Sequence, residues 1–129
     1  MADAKPTTPK EKRVLIIEDE RPLAHALELK LMSNGYETVV ATTGAEGIKE
    51  AQTKSYNLIL LDLILPGVDG FGVLRELKAK KITTPVMVLS NLGQAEDQER
   101  AKELGVEKYY VKSNTPLADI IDTIKKILK

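Results

Sequence analysis

Four short runs of this chain are apolar at every position, and each ends on a polar residue of a particular kind. Val14–Ile17 leads into Glu18 and Asp19, Leu58–Leu61 into Asp62, Val86–Leu89 into Ser90, and Tyr109–Val111 into Lys112. A run with no polar position has no face to give to water. It therefore reads as a strand buried on both sides, the mark of a parallel sheet covered by helices. In open sheets of that kind the ligand site lies beyond the carboxyl ends of the strands. Glu18, Asp19, Asp62, Ser90 and Lys112 are thus expected to meet at one place, although they are scattered over most of the chain.

Helical patterns fill the intervals. Pro22 suits the first turn of a helix that turns Leu23, Leu27 and Leu31 inward and stops at Asn34-Gly35. Tyr36 to Val40 is the second strand. Thr43 and Glu46 form a capping-box pair opening a helix that buries Ala45, Ile48 and Ala51. A Pro66-Gly67 turn precedes a helix with Phe71, Leu74 and Leu77 on one face. The next helix, near residues 94–104, shows only Ala95, Ala101 and Leu104, and so is weakly anchored and easily offered to a partner. Thr115 is expected to cap the last helix, with Pro116 in its first turn and Leu117, Ile120, Ile121, Ile124 and Ile127 as its stripe. The pattern gives five βα units in one domain over residues 13–129, after a polar lead-in over residues 1–12 expected to be disordered.

Composition narrows the function. Nineteen acidic and nineteen basic side chains cancel, and one Phe, four Tyr and no Trp leave little to stack on bases. Direct nucleic-acid binding is not expected. The absence of Cys removes disulfides, thiolate nucleophiles and Cys-ligated metals. No run reaches membrane-spanning length and no apolar leader opens the chain, which reads as a cytoplasmic protein. His25 lies alone on an amphipathic helix and reads as a surface residue. Glu20 reads as first-turn charge for the same helix. Gly67, Gly70 and Gly72 form no nucleotide loop and are assigned to the turn and the close start of the third helix.

The predicted cluster has its own chemistry. Three carboxylates at neighbouring strand ends carry a local charge of about −3 if all ionise, which their mutual repulsion opposes. One lysine cannot neutralise them; a divalent cation together with Lys112 can. With oxygen donors only, the cluster suits a hard ion such as Mg²⁺. A carboxylate beside Mg²⁺, a hydroxyl and an ammonium suits phosphoryl transfer, with Asp62 as candidate nucleophile.

The segments VLIIEDE, LILLDLILPGVDGFGVL, PVMVLSN and YYVK, in that order, resemble the CheY-like receiver domain of two-component response regulators over essentially all of residues 12–129. The resemblance implies a flavodoxin-like (βα)5 fold, a three-layer sandwich around a five-stranded parallel sheet of order 2-1-3-4-5. It implies that Asp62 accepts a phosphoryl group from a histidine kinase or phosphotransfer protein. Asp19 would bind Mg²⁺ directly, Glu18 mostly through water, and the Ile64 carbonyl would complete the metal sphere. Ser90 would bond the phosphoryl group and Lys112 pair with it, while Tyr109 would swing inward as Ser90 moves. The implied output face is that of the fourth helix, fifth strand and fifth helix. A separate downstream protein, not identified by the sequence, would read it, and the resemblance also allows a phosphorylation-dependent homodimer. Turnover beyond self-phosphorylation and self-dephosphorylation is not expected.

Two residues depart from the family pattern. Ser113 stands where a cis proline usually follows the lysine. A non-proline cis bond costs about 2.5–4 kcal/mol, so the loop is either strained or rebuilt in trans with Lys112 shifted. Asn91 follows Ser90 where a small residue is usual, and could crowd the phosphoryl group. Ile64 and Leu92 are apolar at positions that resemble those tuning hydrolysis, which predicts slow loss of phosphate. The favoured reading is a stand-alone receiver. A pseudo-receiver that only docks is the main rival, and a small Mg²⁺ phosphatase or flavin carrier on the same architecture is the other.

Overall fold

The computed structural model describes residues 12–129. The expected lead-in lies, apart from Lys12, outside the described residues. From Arg13 onward strand and helix alternate: β1 Arg13–Ile17, α1 Arg21–Ser33, β2 Glu37–Ala41, α2 Gly44–Thr53, β3 Leu58–Leu61, α3 Gly70–Ala79, β4 Val86–Ser90, α4 Ala95–Glu103, β5 Lys108–Val111 and α5 Leu117–Ile127. The strands form one parallel sheet of order β2-β1-β3-β4-β5. This is the flavodoxin-like strand order that the resemblance implied.

Strand alternation divides the core between two layers. Leu15 and Ile17 of β1 face Ala51, Phe71, Leu74, Leu77 and Ala101 on α2, α3 and α4. Val14 and Ile16 face Ala24, Leu27 and Leu31 of α1 and Ile120, Ile121 and Ile124 of α5. Every residue of β3 and β4 is buried, as runs without a polar position require, whereas the edge strands β2 and β5 are only partly covered.

Helix starts and faces differ in places from the sequence reading. In α2 the buried positions are Gly44, Gly47 and Ala51, while Ala45 faces solvent. A Cβ on Gly47 would stand 2.4 Å from Ile17 Cδ1, and one on Gly44 2.3 Å from the Val68 carbonyl oxygen. The glycines thus let α2 approach the sheet and the loop before α3, which turns Ala45 outward. The Thr43 hydroxyl accepts from the Glu46 N–H as expected, but the Glu46 carboxylate takes the N–H of Thr42 rather than that of Thr43. Thr115 does not cap α5. Pro116 holds the N-cap position and the Thr115 hydroxyl donates to the Val111 carbonyl at 2.9 Å, tying down the chain leaving β5.

In α4 only Ala101 is buried, so the weak apolar anchoring stands, although Ala95 is exposed rather than inward. A polar contact supplements it: the Arg100 guanidinium lies 3.9 Å over the Phe71 ring of α3.

Candidate functional site

The sheet positions the site through its final rungs. The Glu18 N–H donates to the Ala41 carbonyl and the Asp62 N–H to the Ile17 carbonyl, both at 3.0 Å, so both acids continue the ladder just past β1 and β3. Ligand oxygens of Glu18, Asp19 and Asp62 all lie within 4.8 Å of one another. Glu18 and Asp62 are 2% and 4% exposed, whereas Asp19 opens to solvent. Lys112 reaches this group from the end of β5. Its Nζ stands 2.8 Å from Asp62 Oδ2 and 2.9 Å from Glu18 Oε1.

The remaining polar groups are held by local backbone bonds. The Ile64 N–H donates to Asp62 Oδ1 at 3.0 Å, which fixes the carboxylate plane, while the Ile64 side chain points to solvent. Ser90 is fully buried as the last residue of β4, in register with Val111 and so beside the strand end that carries Lys112. Its hydroxyl accepts from the Leu92 N–H at 3.3 Å. The Tyr109 hydroxyl donates to the Leu92 carbonyl, so β5 is tied to the loop that follows Ser90.

Electrostatics follow from this packing. Burial is the largest effect on Glu18 and pushes its carboxyl up to about 7, against the pull of Lys112 and of the Glu20 N–H. Burial works against the Lys112 ammonium too, but its contacts with Asp62 and Glu18 outweigh it and raise its pKa. Glu18 retains a proton near neutrality chiefly because it is buried, and the negative charge of Asp62 adds a smaller push in the same direction. Three oxygen donors, two of them buried, match the needs of a hard divalent ion, which would let Glu18 ionise.

Two neighbours act differently from their sequence readings, and the structure decides between the two backbone alternatives after Lys112. Glu20 is not first-turn charge. It is the N-cap residue of α1, its N–H donates to Glu18 Oε2 at 3.1 Å, and its carboxylate lies 3.7 Å from Lys112 Nζ. Asn91 uses its side-chain oxygen to accept the Ser113 N–H at 3.1 Å. No peptide among the described residues is cis, so the Lys112–Ser113 bond is trans. Lys112 nonetheless reaches the acids, because the chain turns sharply through a 3-10 turn over Lys112–Asn114. His25 is exposed on α1, with its Nδ1 3.7 Å from Glu28 Oε1. Among the described residues no helix is long and apolar enough to cross a membrane.

A doubly wound sheet with acids and a lysine beyond its carboxyl edge defines a switch-point site of the α/β class. Residues 14–125 match the response regulator receiver domain, and the chain belongs to that family. The cell cycle response regulator CtrA of Brucella ovis is 39% identical over 100 residues, which are 78% of this chain and 43% of that protein. The chain therefore spans less than half the length of the curated relatives it matches. Among solved structures, the Francisella response regulator 1452 receiver domain superposes with a TM-score of 0.85 at 28% identity, covering 92% of this chain and 97% of its own. The fold is shared by the receiver domain of a Pseudomonas aeruginosa sensor histidine kinase, with TM-score 0.81, 24% identity, and 92% and 98% coverage. That domain was solved with a magnesium ion in its active-site cleft.

Proposed function

We propose that this receiver takes a phosphoryl group on Asp62 from a histidine kinase or phosphotransfer protein in a Mg²⁺-dependent reaction, and switches partner binding through its α4-β5-α5 face. The observation that carries the reading is the meeting of Asp62, Glu18, Asp19 and Lys112 at the carboxyl edge of the sheet.

An Asp62 carboxylate oxygen attacks the phosphorus of the donor phosphohistidine. The P–N bond breaks, the imidazole leaves with the electron pair, and an acyl phosphate forms. Lys112 exchanges its bond to Asp62 Oδ2 for the phosphoryl oxygens, and the buried Ser90 hydroxyl donates to one of them. Mg²⁺ held by Asp19, Asp62 and the Ile64 carbonyl, with Glu18 acting through water, would neutralise the acids and the incoming phosphoryl oxygens. Because Tyr109 bonds the Leu92 carbonyl two residues past Ser90, a shift of Ser90 passes to the output face. The sparse anchoring of α4 gives that face room to respond. The proposed setting is the cytoplasm, with a protein rather than a nucleic acid as direct partner and homodimerisation as one outcome of phosphorylation.

Incubating the parent and Asp62→Asn proteins with acetyl phosphate, with and without Mg²⁺, tests the reading by intact mass. A Mg²⁺-dependent adduct on the parent alone is expected; an adduct that survives the substitution places the acceptor elsewhere. The second reading is a docking module that no longer handles phosphate. Ser113 and Asn91 favour it, since both depart from the family pattern beside the two phosphoryl-binding groups. Failure to take up beryllofluoride with Mg²⁺ would establish that reading.

A further inference from the structure

Asn91 and Ser113 sit immediately beyond the β4–β5 ladder, whose last paired residues are Ser90 and Val111. Past that rung the two backbones separate, and Lys112 begins a 3-10 turn. There the Asn91 side-chain oxygen accepts the Ser113 N–H at 3.1 Å, taking the place of the next main-chain carbonyl. One residue to either side of this bond lie the buried Ser90 hydroxyl and the Lys112 backbone. On the other side of the same turn, the Thr115 hydroxyl holds the Val111 carbonyl at 2.9 Å. The backbone that carries the lysine is thus held from both sides.

We infer that Asn91 is a positioning residue: its side-chain carbonyl, by capping the Ser113 N–H, fixes the backbone of Lys112 so that the ammonium reaches Asp62 and the phosphoryl group. The inference rests on the receiver reading above and adds a residue to it. The bond requires a residue with an N–H at 113, so a proline there has no use for an acceptor at 91. It joins the loop bearing the hydroxyl to the loop bearing the ammonium, so the two phosphoryl-binding groups move as a unit.

The test pairs amide exchange at Ser113, followed by ¹⁵N NMR, with acetyl phosphate labelling at saturating donor and Mg²⁺. Loss of one solvent-accessible hydrogen bond predicts about five-fold faster exchange at Ser113 in Asn91→Ala, and a similar fall in the maximal labelling rate, with half-saturation by donor unchanged. Asn91→Asp retains the acceptor oxygen and should keep Ser113 exchange near the parental rate, and in a Ser113→Pro background, which has no N–H to cap, Asn91→Ala should change labelling no further. The inference is overturned if Asn91→Ala labels at the parental rate, if the Asp variant exchanges as fast as the Ala variant, or if Asn91→Ala slows labelling equally with Ser or Pro at 113. Absence of labelling in the parent would instead refute the receiver reading, and Ser113 exchange would then judge the bond alone.

Discussion

The ammonium of Lys112 stands 2.8 Å from Asp62 Oδ2 although fifty residues separate them. A strand-end lysine and a strand-end aspartate meet because β4 alone lies between β3 and β5. Lys112→Met leaves two buried acids without their cation. Metal-free protein should lose about 3 kcal/mol, the low end for a broken buried pair, because Glu18 can take up a proton instead. Mg²⁺ should restore more stability to the variant than to the parent, since no ammonium competes for the acids. Urea midpoints with and without Mg²⁺ check this; equal midpoints for the two metal-free proteins would contradict it.

Ile64 flanks Asp62 with an exposed apolar side chain that cannot orient an attacking water. The acyl phosphate should therefore be long-lived, and Ile64→Asn should shorten its lifetime on the order of ten-fold. Following the phosphoprotein by mass after donor removal decides the matter. Loss within seconds from the parent would count against it.

Gly70 and Gly72 open α3 with unequal consequences. A Cβ at Gly70 would meet the Leu63 Cα at 2.4 Å and the Asp62 carbonyl oxygen at 2.7 Å, both backbone atoms. Gly70→Ala should cost about 3 kcal/mol, since the main chain that positions Asp62 cannot yield cheaply. At Gly72 the nearest atom is the exposed side chain of Val68, at 2.9 Å. There alanine requires only that the exposed Val68 side chain give way, a cost that helix propensity offsets, so the change should stay within about 1 kcal/mol of neutral. Denaturation of the two variants gives the comparison.

Tyr109 has its phenol pushed up to about 12, first by burial and then by the negative charges of Asp97 and Asp62. A proton held more tightly in the folded state stabilises it fully below the unfolded pKa of about 10. That contribution is lost as pH rises through 12. A tyrosinate absorbance titration of the parent minus Tyr109→Phe should show a midpoint near 12, and a midpoint near 10 would refute the assignment.

The sheet and its acids were legible because a fully buried strand needs an unbroken apolar run and a polar residue where it ends. All four runs are strands, and Glu18, Asp62 and Lys112 meet as that logic requires. Hydropathy periodicity could not find the face of α2, because Gly44 and Gly47 touch the core through having no side chain at all. It placed Ala45 inward by default. Thr115 looked like a cap because its position suited one, yet the carbonyl leaving β5 was the nearer partner. The Asn91–Ser113 bond was illegible for another reason: each residue registered as a departure from the family pattern, and only the turn in space shows that they answer one another.

Because the main chain of Glu18 and Asp62 is bonded into the sheet, the entropy of gathering these acids is lost during folding of the domain and not when a ligand arrives. An arriving cation would find the Glu18 and Asp62 oxygens already assembled and would chiefly have to shed water and displace an ammonium. Capture should therefore be governed by dehydration of the ion, with little reordering of the polypeptide.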